Sequence, residues 1–219
     1  MSEQEKTAEV KAIEFLWLSL YGFAGFSLEL ILGVVTNMIG IEELGKGLNS
    51  LITGILWFAF AILLFQFVKR KFHYDLLEKR ASLTVSKLIV AIILVVLIIA
   101  ITIWGFGGFK PYVEFHGGSK GSILLYSLQV FYYLGETALI AITIALGQQF
   151  AKRQFGLGEK FPSGGVFLAL TWGLMHFLLQ GMNGGIYAMF FSIIAGIIYV
   201  VMGKDFRWSY LFIALAFIL

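Results

Sequence analysis

Apolar residues run along this chain in long blocks separated by short polar stretches. Blocks near the length that crosses a hydrocarbon core, about 20 residues, fall at Phe15–Ile39, Leu51–Val68, Leu88–Phe106, Ser122–Leu146, Gly165–Leu179, Gly185–Met202 and Phe206–Leu219. The pattern predicts an all-α, polytopic transmembrane helix bundle of about seven spans. The fifth and seventh blocks are short. The fifth gains length by extending to Gln180 or by beginning in the preceding loop, and the seventh stops short of the far interface.

Composition sharpens this picture. Hydrophobic residues make up 59% of the 219, charged residues 13%, and the mean hydropathy is +0.90. A soluble domain carries about a quarter charged residues, so this chain cannot cover its surface in water. The cell membrane is the expected location and the lipid bilayer the first partner. Cysteine is absent, which removes disulfides, thiolate nucleophiles, thiolate zinc sites and lipid anchors on cysteine. The net charge of +3 is small and gives nucleic-acid binding no support. The start, MSEQEKTAEVKAIEF, has no basic leader and no small-residue cleavage site, so the first apolar run is expected to stay as a helix.

Charge sets the orientation. Of the 16 Lys and Arg, only Lys46, Lys110 and Lys120 fall in alternate connections; the other 13 fall in residues 1–14, 69–87, 147–164 and 203–207. Basic residues concentrate on the cytoplasmic side, so the N-terminus is expected there. The loop at 69–87 is expected to form a short amphipathic helix on the anionic leaflet. The Gly- and aromatic-rich stretch at 107–121 reads as an interfacial loop. No internal repeat is evident, which counts against an inverted-repeat transporter.

An ionisable side chain at membrane depth costs about 2.5–3.5 kcal/mol on insertion scales and therefore needs a reason. Glu136 lies in a stripe Gln129–Glu136–Thr143, flanked by Tyr132 and Tyr133, on a helix otherwise made of Leu, Ile, Ala and Val. His176 belongs to Trp172–His176–Gln180 at i, i+4 spacing, and Glu29 sits among Gly22, Gly25, Gly33 and Thr36. The stripes are expected to face the bundle interior, where an apolar pocket lets a Glu exchange a proton and activate water. The surroundings of Glu29 point equally to close helix packing. A divalent metal would have only Glu136, His176 and, as a third, Glu29; His73 and His116 fall in loops on opposite sides. No HExxH, phosphate loop or Gly-x-Ser-x-Gly occurs.

From about Leu124 onward the chain resembles the CAAX-protease and bacteriocin-processing family of glutamate-dependent intramembrane peptidases. That family carries Glu-Glu-x-x-x-Arg, then aromatic-x-x-x-His, then His-x-x-x-Asn two helices later. Gly135-Glu136-Thr137-Ala138-Leu139-Ile140 stands at the first motif and Trp172-Gly173-Leu174-Met175-His176 at the second. The chain departs at Gly135 and Ile140, and the last block, YLFIALAFIL, has neither His nor Asn. The resemblance implies a three-helix region at 1–121 with a basic cytoplasmic loop, then a four-helix core at 122–219. It also implies Glu136 and His176 as the water-activating pair, with Gln129, Tyr133, Trp172, Gln180 and Glu29 lining the cavity. Endopeptidase action on a membrane-bound peptide is one expected function. A non-catalytic relative that binds a peptide or partner protein, in an immunity or assembly role, is another. Transport of a small solute or proton through Glu29 and Glu136 is a third. The orientation is checked by single cysteines read with an impermeant thiol reagent on intact cells: labelling is expected at 107–121 and not at 69–87.

Overall fold

In a bilayer every backbone amide must find a partner inside the protein, which leaves helices or closed barrels. This chain uses helices. The computed structural model describes residues 10–41, 45–157 and 160–219, so Lys6 lies outside the described residues. Its elements are α1 (Ala12–Ala24), α2 (Ser27–Met38), α3 (Lys46–Phe72), α4 (Val85–Phe106), α5 (Lys110–Val113), α6 (Ile123–Phe155), α7 (Ser163–Leu168), α8 (Leu174–Val201) and α9 (Phe206–Ile218). Single π turns extend α5 over Glu114–Gly118 and join α7 to α8 over Ala169–Gly173. No strand occurs among the described residues.

The stretches Lys46–Phe72, Val85–Gly105, Ile123–Phe155 and Ser163–Val201 are each long and apolar enough to cross a membrane, and the bent pair α1–α2 makes a fifth. Their outward faces expose Ile62, Leu63, Ile93 and Val96, surface that suits lipid rather than water. The architecture fits a membrane protein.

Helix α6 is the axle. Every residue from Gly135 to Gln149 is buried, because α1, α3, α7 and α9 all pack along it. At about 50 Å by its rise per residue it outruns the hydrocarbon core. Past the expected end at Leu146 it continues to Phe155, held by Gln148, whose Nε2 donates to Phe161 O and whose Oε1 accepts from Gly164 N.

The stretch from Ser163 to Val201 reverses on itself. A straight helix of 39 residues would run about 58 Å, roughly twice the core thickness. Gly181 breaks it with φ 72° and ψ −166°, a backbone region open only to glycine. Residues 163–180 then lie antiparallel to 182–201. An added Cβ at Gly165 would meet Ser192 O at 2.6 Å, and one at Gly173 would meet Met189 at 3.2 Å. Small residues thus let the two arms touch backbone to backbone.

Three local expectations are corrected. The first block is not one straight helix: α1 and α2 meet at a bend of 42°, and α2 has no buried residue. The inner connection forms no amphipathic helix. Residues 73–84 are non-helical, because Tyr74 and Leu76 insert into the bundle end and bury. The outer stretch is partly helical, through α5 and its π turn.

Contacts between connections sort the bundle into two ends. At one, the Arg153 guanidinium donates to Val10 O at 2.7 Å and Arg80 N to Asp205 Oδ2 at 3.1 Å. At the other, Lys46 pairs with Glu114 at 3.4 Å and Lys110 donates to Phe217 O.

Asp205 organises the first end. It is buried, caps α9 by accepting from Arg207 N, and pairs with the Arg207 guanidinium at 2.7 Å. Burial pulls its carboxyl upward, but hydrogen bonds from Arg207 and from the Arg80 and Ala81 amides win and hold it at about 2. A pKa below the ordinary carboxylate range adds stability that is present above that range and lost as pH falls through about 2. Asp205→Ala is expected to cost about 2 kcal/mol in detergent unfolding. The loss should shrink as the pH drops below the range of ordinary carboxylates.

Candidate functional site

A carboxylate on the buried axle needs a donor beside it, and Trp172 supplies one to Glu136. The Trp172 indole, in the π turn before α8, donates Nε1–H to Glu136 Oε1 at 3.3 Å. One turn on, His176 Nδ1 lies 2.8 Å from Trp172 O, and the two rings are 4.0 Å apart. A carbonyl can only accept, so Nδ1 carries the proton and Nε2 keeps its lone pair. Trp172 therefore links the carboxylate to the imidazole. The π turn is a recurrent device at such places.

Glu136 and His176 line one cavity of about 700 Å³, and so do Glu29, Gln129, Tyr133, Trp172 and Gln180. All seven residues singled out in the sequence thus converge on it. Gln129 accepts from Ser50 Oγ at 3.2 Å. Glu29 accepts from Tyr132 Oη at 3.0 Å on one oxygen and 3.1 Å on the other, so it belongs to the cavity. The packing face of the first block is Gly22 and Gly25, which abut Thr143 and Leu139 of α6. Thr143 continues the stripe but is buried beneath Gly22, outside the cavity lining.

Sequence reasoning passed over Lys110, Glu114 and Trp57. Lys110 reaches in from α5, its Nζ 4.2 Å from the ring centres of both Tyr133 and Phe217 and 2.5 Å from Phe217 O. Burial pulls its ammonium below the ordinary lysine range, while Glu136 and Glu114 pull it back up. Glu114, one turn further, accepts from Tyr133 Oη at 2.9 Å and faces Lys46. The signal for this pair was Lys-Pro-Tyr-Val-Glu itself. Proline is favoured at a helix start, and i, i+4 spacing puts both charges on one face. Trp57 also lines the cavity, 1% exposed, and its Nε1 has no hydrogen-bond partner among the described residues.

The cavity sits in the half of the bundle away from the basic end. Glu136 lies about 20 Å along α6 from Ile123 by helical rise, within the thickness of a hydrocarbon core. Among the described residues no group of three His, Asp or Glu is placed to hold a metal ion.

Gly135 explains one departure from the peptidase motif. An added Cβ there would meet Gly54 O at 3.2 Å and Trp57 Cβ at 3.4 Å. The position faces α3 at a close crossing that a glutamate side chain would force apart. From the last helix only Phe217 reaches the cavity.

These features define the class: an all-helical bundle, with four or five stretches long and apolar enough to cross a membrane, that holds a polar, aromatic-lined cavity. No family model, curated protein or solved structure matches the chain. The Trp172–Glu136 contact is tested by Trp172→Phe, which keeps a ring but removes the donor. The loss expected is about 1 kcal/mol of unfolding free energy. In a double-mutant cycle with Glu136→Gln most of that loss should be non-additive.

Proposed function

We propose that the chain is a seven-span protein of the cell membrane, with its N-terminus cytoplasmic. Its cavity binds a membrane-embedded peptide or partner protein on a scaffold like that of the glutamate-dependent intramembrane peptidases, without cutting it. The orientation is supported by the two ends of the bundle. Every described Lys and Arg outside Lys46, Lys110 and Lys120 belongs to the end where Val10, Arg80 and Arg153 meet. The count of seven takes the bend at α1–α2 as one span, each arm at Gly181 as one and α9 as the last.

The observation that carries the binding reading is the convergence of polar residues from α2, α6 and α8 on one cavity without the groups hydrolysis needs. At position 135 an added Cβ would already sit 3.2 Å from Gly54 O, a tight place for a second carboxylate side chain, and the last helix offers a phenyl ring where the peptidase motif places His and Asn. Loss of one oxyanion donor alone costs about 10²–10³ in rate.

The Glu136–Trp172–His176 linkage favours a second reading, peptide hydrolysis with Glu136 as base. Incubation of the purified protein with a peptide library separates the two. The binding reading expects no cleavage of any library peptide, by the protein or by Glu136→Gln, whose amide still accepts from Trp172. Cleavage that falls about 10²-fold or more in Glu136→Gln would establish the peptidase instead.

A further inference from the structure

The binding reading leaves the ligand's chemistry open, and the inference drawn here rests on that reading. The cavity already holds a cation, one that belongs to the protein. Lys110 is carried by a segment between spans, bounded by Gly107 and Gly121 in left-handed conformations (φ 75° and 74°). Its ammonium lies over the rings of Tyr133 and Phe217, the arrangement by which proteins hold organic cations. Trp57, Trp172, Tyr132 and Tyr187 add further ring surface to the lining.

Charge points the same way. The lining carries the carboxyls of Glu29, Glu114 and Glu136 against the ammonium groups of Lys46 and Lys110. Lys46 is taken by Glu114. Lys110 interacts with both Glu136 and Glu114. Glu29 is held by the Tyr132 hydroxyl, and no ion pair joins it to a cation among the described residues. A low-dielectric cavity with an excess of carboxyls concentrates cations and repels anions. The unpartnered indole of Trp57 adds a donor suited to a carbonyl beside the cation, as an amide-bearing ligand supplies.

We propose that the cavity recognises the ammonium group of a membrane-embedded peptide, from a lysine side chain or the amino terminus, at the place where Lys110 now lies. Lys110 is then a tethered competitor: it fills the ring pair and balances Glu136 until the ligand's ammonium displaces it.

The probe is n-butylammonium, which copies a lysine side chain, titrated into the purified protein and followed by tryptophan fluorescence. Binding of n-butylammonium is expected, with none by butyrate or n-butanol. Lys110→Met and Lys110→Gln remove the competitor and should each tighten binding by about tenfold, while Glu136→Gln should weaken it by a similar factor. Two lysine variants differing in polarity keep the test intact if one fails to fold. Butyrate or n-butanol binding as well as the amine, or unchanged affinity in the folded lysine variants, would overturn the proposal. An apolar helical peptide with one lysine should compete, and its lysine-to-leucine counterpart should not. If both peptides bind equally, the ammonium inference falls and the binding reading stands; if neither peptide nor amine binds, the binding reading falls too. Competition by phosphatidylethanolamine in nanodiscs, with no advantage for the lysine peptide, would assign the site to a lipid headgroup and refute the peptide.

Discussion

A carboxylate on a helix that is buried on every side is the constraint around which this bundle is arranged. Glu136 sits at the edge of the fully buried stretch of α6, where no lipid-facing rotation is available to it. The alternative to a polar cavity is an unpaired acid in hydrocarbon, which costs several kcal/mol. The bundle answers with space, with the Trp172 indole as donor, and with a polar, ring-lined cavity that the Lys110 ammonium enters from α5. The indole and the ammonium come from different elements, so the position of Glu136 fixes where α5 and the arm before Gly181 must lie.

Close packing below that level makes the cavity possible. Gly22 meets Thr143, Gly135 meets Gly54 and Gly164 meets Ile144, so α1, α3 and the hairpin of residues 163–201 approach α6 closely, while Gly165 meets Gly196 between the hairpin's arms. Nearer the basic end the core is closed, with Leu139, Ile142 and Leu146 fully buried. Toward the other end α2 bends away with no buried residue, and the widening gap is filled by polar and aromatic side chains. Tight packing at one end and divergence at the other place the cavity toward the end of the bundle that carries Lys46 and Lys110.

The segment between α4 and α6 joins structure to function. It contributes almost nothing to the apolar core, yet Lys110 and Glu114 tie it to Phe217, Tyr133 and Lys46. Hydrogen bonds and cation–ring contacts of this kind are individually worth about 1 kcal/mol or a little more. Together they hold the segment in place against the cavity.

Much was legible in the chain itself. Hydrophobic runs and the bias of Lys and Arg are local properties, and a bilayer imposes them on any sequence that enters it; the all-helical class followed from them. Gln129, Glu136, Trp172, His176 and Gln180, which line one cavity, stood out in sequence because a polar stripe on an apolar helix has only the interior to face. The rest needed the tertiary structure. The bend between α1 and α2 and the failure of residues 73–84 to become helical depend on what packs beside them, Tyr74 and Leu76 having found a place in the bundle end. Glu29 sat among glycines in sequence, but only the fold shows that Gly22 and Gly25 pack against α6 and α3 while the carboxylate meets Tyr132. Lys110 was hardest to foresee: a lysine in a connection between helices is solvated by default, and only the meeting of Tyr133 on α6 with Phe217 on α9 gave its ammonium a place between rings.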